Sequence, residues 1–195
     1  MLDILKNRRS QYALGAELPL PQGEVDHLIR EAIRLAPSSF NSQSSRAVIL
    51  FNGESRRFWD LVKDALRAIV PAEDFPRTER RLAGFAAGAG TVLFFEDQAV
   101  VADLQRKFPL YAENFPIWSE HSTAMAQLAT WTALSDAGIG ASLQHYNPLV
   151  DNEAARAWEL PATWRLCAQM PFGSNEGEIG QKSYIDDEQR FHTFG

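Results

Sequence analysis

Two short stretches carry the side chains best suited to binding chemistry. Near the N-terminus, "NRRS" sets the guanidinium groups of Arg8 and Arg9 beside the hydroxyl of Ser10, at what reads as the end of a short helix. Bidentate, charge-assisted hydrogen bonds from such groups suit a phosphate. The same arginines would also serve as solvated partners for the negative end of a helix dipole. Further along, "PSSFNSQ" offers the hydroxyls of Ser38 and Ser39 and the amides of Asn41 and Gln43. Amides donate and accept at once, which matches a flat heterocycle with mixed edges or a polyol chain. A loop of mutually satisfied capping and turn residues is the competing reading, and side-chain chemistry alone does not separate the two.

Regular elements must hold these stretches in place. Val25, Leu28, Ile29, Ala32 and Ile33 recur at helical spacing between Gln22 and Ala36, and Pro37 ends the pattern because a residue before proline resists the helical region. The polar run therefore leaves a helix and enters "RAVILF", a β-branched apolar strand closed by Asn52-Gly53. A second amphipathic helix follows on Phe58, Leu61, Val62, Ala65, Leu66 and Ile69. Beyond it come a strand "TVLFFE", a helix "DQAVVADLQRKF", and a proline- and aromatic-rich loop "FPLYAENFPIW". A long helix from about Ser119 to Asp136 is stopped by Gly138. Then the chain reads as a strand "GASLQHY", a short helix "NEAARAWEL" with Asp151 as its cap, and a last strand "WRLCAQMPFG". Strands alternating with helices argue an α/β sandwich, one domain over residues 1–195. The long helix carries Ala, Ser, Thr and Met on nearly every face, as a central or interface helix would. The closing "RFHTFG" is too apolar for a free tail and is expected to dock, with a partner chain as one destination.

Composition narrows the chemistry. A net charge of -6 with no basic stripe argues against a nucleic-acid partner. Apolar runs such as "LAGFAAGAGTVLFF" fall short of the ~20 residues a membrane span needs, so a soluble, cytoplasmic protein is expected. The single cysteine, Cys167, cannot close an intrachain disulfide and reads as a buried, inert thiol. His27, His121, His145 and His192 fall on separate elements without metal-ligand spacing, and no nucleophile motif is present, so neither a metal nor a catalytic side chain is assigned. Gly88 and Gly90 precede a strand, whereas a dinucleotide fingerprint follows one, so that reading is rejected.

In this order, "NRRS", "APSSFNSQ", "FPLYAENFPIWSE" and "GIGASLQHYNP" resemble the nitroreductase family of FMN-dependent oxidoreductases, over essentially the whole chain and most closely its short stress-response branch. The resemblance implies an α+β sandwich with a central, mostly antiparallel sheet flanked by helices. It also implies a homodimer whose C-terminal segments are exchanged, with FMN at the subunit interface. By position, Arg8, Arg9 and Ser10 would hold the phosphate and ribityl chain with Lys182, while Ser38, Ser39, Asn41 and Gln43 would reach the flavin from the other subunit. The segment Gln144, His145, Tyr146 would approach the flavin's reactive edge. The chain departs from the family at Tyr12, where many members carry a lysine, and at Ser44, where they carry proline; Arg46 or an amide then becomes the candidate for the missing charge.

Such a protein would take hydride from NADH or NADPH and reduce a small aromatic acceptor, a nitroaromatic or a quinone, by a ping-pong scheme. Phe108, Tyr111, Phe115 and Trp118 would roof the flavin and admit flat substrates, with ordinary core packing as the competing role. The alternative function is a flavin-bound stress or lipid-response regulator with little turnover.

Overall fold

The computed structural model describes residues 1–195. The elements run α1 (Leu2–Asn7), β1 (Leu14–Gly15), α2 (Gln22–Leu35), β2 (Ser45–Phe51), α3 (Asn52–Arg67), α4 (Phe75–Ala86) and β3 (Gly90–Asp97). The chain continues with α5 (Gln98–Lys107), α6 (Phe115–Asp136), β4 (Gly140–Ala141), α7 (Asp151–Ala157), β5 (Trp164–Asn175) and α8 (Asp187–Arg190). The strands form one sheet in the order β1-β5-β3-β2, with β4 also on β5, and every strand pairing is antiparallel.

Strand β3 explains the layering. Successive side chains of a strand point to opposite faces. Val92 and Phe94 join Val25, Ile29, Leu134 and Met170 on the face covered by α2 and α6. Leu93 and Phe95 join Phe58, Trp59, Phe85 and Leu166 under α3, α4 and α7. A strand buried on both faces is mostly apolar, and β3 is buried from Gly90 to Glu96 with Thr91 and Glu96 as its polar members. The glycines before it serve packing: a Cβ on Gly88 would lie 2.7 Å from the Phe172 carbonyl oxygen, and one on Gly90 would lie 2.6 Å from that of Leu50.

Four local expectations need correction. Helix α6 begins at Phe115, because Pro116 occupies the first turn, where its missing N–H costs nothing. Helix α4 has no counterpart in the apolar periodicity, since only Leu82 and Phe85 are buried from it. The stretch from Gly140 to Tyr146 is a strand only at Gly140–Ala141 and then leaves the sheet. The Gln169 side chain takes over there, accepting the Tyr146 backbone N–H at 2.7 Å, while Gln144 and Gln169 keep one isolated bridge. Asp151 caps nothing: it is the first residue of α7, and its Oδ1 is buried without a partner. No helix is long and apolar enough to cross a membrane.

Two buried groups give expectations of their own. Burial pushes the Cys167 thiol up to about 11. At pH 8 only about one thiol in a thousand is then thiolate, so Ellman's reagent should fail to titrate Cys167 until the protein is unfolded. Fast titration of the native protein would contradict this. Glu96 is fully buried, accepting the Ser45 hydroxyl on Oε1 at 2.7 Å while Oε2 has no partner. Burial raises its pKa above the ordinary 4.5, against the opposing pull of the Ser45 hydrogen bond and the nearby Ser44 hydroxyl. The folded protein therefore binds this proton more tightly than the unfolded chain, and its contribution, fullest below about 4.5, is lost as pH rises through the folded value. Glu96→Gln should flatten stability against pH in urea titrations from pH 5 to 8, and a loss of stability at pH 8 would contradict the assignment.

Candidate functional site

The N-terminal arginines stand where α1 stops and the chain is clipped to β4. Ser10 bridges to Ala141, and the Gln11 N–H donates to the Ala141 carbonyl at 2.9 Å. The Arg8 guanidinium lies over the Trp131 ring, 4.1 Å from its centroid. Its Nη1 is buried and has no hydrogen-bond partner. Burial lowers the Arg8 pKa, and the neighbouring charge of Arg9 lowers it further. A guanidinium that is desolvated, repelled and unpaired is chemically suited to pairing with an anion. Arg9 and Gln11 line a cavity of about 240 Å³ with Gly138, Gly140, Asn175 and Ile179. Lys182 does not line it; it lies on the exposed tail, with its Nζ 5.2 Å from the Tyr184 ring centroid.

The polar run forms a tight, self-bonded loop. The Asn41 N–H donates to the Ser38 carbonyl at 2.9 Å and the Gln43 N–H to the Ser38 hydroxyl at 3.0 Å. The Ser39 N–H reaches the Ser122 hydroxyl of α6 at 3.1 Å. Backbone groups take these bonds, which leaves the amides of Asn41 and Gln43 exposed and without partners. Ser38 and Gln43 line a second cavity, of about 250 Å³, with Arg34, Ser45, Arg46 and Ser122. Arg46 is already committed, donating to the Gln43 carbonyl at 2.5 Å and to Asp97 at 3.1 Å. Its role is to brace the loop. The two cavities share no residue within one chain.

Gln144, His145 and Tyr146 sit on the segment that leaves the sheet. Gln144 donates to the Ser142 hydroxyl at 3.0 Å, and His145 is exposed. Tyr146 is half-buried, its ring edge-on to Trp59 at 5.7 Å, and burial raises its hydroxyl pKa.

The aromatic loop is partly exposed and partly core. Phe115 is buried at 2%, whereas Phe108 and Tyr111 remain 39% and 40% exposed. Gln105 of α5 anchors the loop by donating to the Ala112 carbonyl at 2.8 Å. At the centre stands Phe40, from the polar run itself, with ring centroids 5.1 Å from Phe108, 5.3 Å from Phe115 and 6.1 Å from Trp118. The sequence reading assigns no role to Phe40, although its signal is there: the one large apolar side chain among hydroxyls and amides.

The Nitroreductase family profile matches residues 5–174. The chain belongs to the nitroreductase family. Nitroreductase FRM2 of Saccharomyces cerevisiae is 35% identical over 188 residues, which is 95% of this chain and 93% of FRM2. Nitroreductase CinD of Lactococcus lactis in complex with chloramphenicol superposes with a TM-score of 0.92 at 43% identity, covering 100% of this chain and 99% of CinD. CinD with 4-nitrophenol gives 0.91 at 44% identity over the same shares. A nitroreductase with bound FMN from Desulfitobacterium hafniense shares the fold, with a TM-score of 0.72 at 16% identity over 100% of this chain and 97% of that one. The α+β architecture implied by the family resemblance is thus the observed one, down to the antiparallel sheet between two helical layers.

Proposed function

We propose that this nitroreductase-family chain is an FMN-dependent oxidoreductase, a single domain over residues 1–195, that draws hydride from NADH or NADPH and reduces nitroaromatic or quinone-type acceptors as a homodimer. The observation that carries the reading is the junction of the polar loop with the aromatic roof, which sets donors and acceptors for a flat heterocycle against ring faces for a flat substrate. CinD, the relative of similar sequence, is known with chloramphenicol and with 4-nitrophenol bound.

The residues fit the cofactor. Arg8, with its buried unpaired Nη1, and Arg9 would hold the phosphate with Ser10 beside it, and Lys182, which stands away from them on the exposed tail, would reach it only from an exchanged tail. Ser38, Ser39, Asn41 and Gln43 would present hydroxyls and amides to the flavin held by the second copy, and Gln144, His145 and Tyr146 would line its reactive edge. Bound FMN supplies hydride chemistry between a nicotinamide and a second substrate. No side chain is assigned as a proton donor. The protein's work is to bind, orient and exclude water, with Tyr111 and Trp118 restricting entry to flat acceptors and the buried Phe115 holding Trp118 from beneath.

Three observations support the homodimer. Arg9 lines one cavity of the chain, and Ser38 and Gln43 line another that shares no residue with it. An apolar groove of about 450 Å³ runs between α1, α2 and α6, edged by Leu5, Leu35, Met125 and Leu128. The tail leaves Phe191 and Phe194 60% and 93% exposed. Fully burying an aromatic side chain contributes about 1.5–3 kcal/mol. Deleting Arg190–Gly195 should therefore weaken dimerisation at least tenfold in sedimentation velocity, and an unchanged profile would contradict exchange of this segment.

Initial rates over a matrix of NADH or NADPH and a soluble quinone test the catalytic reading. Parallel double-reciprocal lines are expected. Intersecting lines would exclude the ping-pong scheme, and FMN-replete protein that oxidises neither nucleotide would exclude the enzyme in favour of a regulator.

A further inference from the structure

Phe40 combines a left-handed backbone with a half-exposed aromatic ring. Its φ of +57° and ψ of +22° put a residue with a Cβ in the left-handed region, and Asn41 and Gln43 follow at +49° and +48°. Asparagine accepts this conformation because its short polar side chain bonds locally; phenylalanine gains nothing of the kind. Such a conformation persists only where the surroundings over-determine it. Here they do, through the Ser39–Ser122 bond and the Ser38–Gln43 bond on either side. The left-handed turn brings the ring against the loop after α5 while leaving about half of the residue exposed.

The ring meets four aromatic side chains there. Phe108, Phe115 and Tyr111 approach at tilted or edge-on angles, with Tyr111 at 6.2 Å, while Trp118 lies nearly parallel at 18°. These are the offset and edge-to-face arrangements that aromatic quadrupoles favour. A residue used only as core filling would be covered, as Phe115 is at 2%, yet Phe40 stays 52% exposed. The ring makes four aromatic contacts, yet about half of Phe40 remains exposed.

We propose that Phe40 is a specificity-determining residue of the acceptor site: it supplies the ring face against which a flat aromatic substrate stacks, and it ties that face to the polar loop. The assignment rests on the oxidoreductase reading above. It explains why an apolar side chain interrupts the hydroxyls and amides of Ser38 to Gln43. The loop positions an acceptor's ring through Phe40, while its polar groups serve the cofactor.

The test uses FMN-loaded protein and 4-nitrophenol as the probe, with binding followed by calorimetry and flavin content by absorbance. Phe40→Leu keeps a Cβ and an apolar branch, so the backbone demand at φ +57° is unchanged and only the ring is lost. Phe40→Tyr keeps the ring. The expected result is that Phe40→Leu weakens 4-nitrophenol binding at least fivefold and raises KM for a nitroaromatic to match. Phe40→Tyr should stay within twofold of the parent, and both variants should keep full flavin content. Unchanged binding in Phe40→Leu would make Phe40 a packing residue and overturn the proposal alone. Loss of flavin in Phe40→Leu would overturn it in favour of a cofactor-retaining role. Failure of the FMN-loaded parent to bind the probe would overturn both this proposal and the acceptor class on which it rests.

Discussion

Arg8→Ala weakens FMN binding roughly 10- to 100-fold, the expected loss when a hydrogen bond to a charged group worth about 1.5–3 kcal/mol is removed. The quantity to measure is the dissociation constant of FMN from apoprotein, followed by quenching of flavin fluorescence. The expectation follows from the one buried guanidinium nitrogen that lacks a partner, on a side chain already crowded by Arg9 and stacked on Trp131. Desolvating that group has a cost that the protein alone does not recover, and a phosphate would recover it. Removing the group should leave the empty protein little altered, since only the contact with Trp131 is lost, about 1 kcal/mol or so. A thermal midpoint that holds while affinity falls separates a binding role from a folding one. An FMN affinity within threefold of the parent would place the phosphate elsewhere.

The second large effect is expected at the apolar groove. Leu128 lies on the outer side of α6, 47% exposed, near Met125 and Leu35, which are 38% and 77% exposed. In the single chain Leu128→Glu is a surface change and should cost little. In a dimer that covers this groove it would bury an unpaired carboxylate, at a penalty of several kcal/mol. Sedimentation velocity should then show a monomer at micromolar concentration. Flavin should be lost in parallel, because Arg9 on one side and Ser38 and Gln43 on the other line different cavities of one chain. A monomeric variant with parental FMN affinity would contradict the composite site.

Much of this was legible in the residues themselves. Pro37 marks the end of α2 to within two residues, and the apolar run before Asp97 identifies β3 because a strand buried on both faces cannot hide its composition. Helix α4 was illegible for the opposite reason: its one-sided cover of the core needs only Leu82 and Phe85, too few to set a period against its arginines and glutamate. The segment after Ala141 misleads because its apolar and β-compatible residues satisfy their backbone partly through the Gln169 side chain, a tertiary arrangement that local propensity cannot express. At the site, the phosphate-type and heterocycle-type groups stood out by residue type. Their partners did not: Trp131 is far from Arg8 in sequence, and Phe40 needed the cage around it before its exposure and backbone acquired a meaning.

FMN held by this chain should cycle between its oxidised and reduced forms. The most direct measurement is the visible absorbance spectrum of the purified protein under anaerobic conditions, before and after NADH or NADPH and then after a quinone. Oxidised-flavin bands that bleach with the nucleotide and return with the quinone are the expected result. A colourless protein that cannot be reconstituted with FMN would contradict the claim.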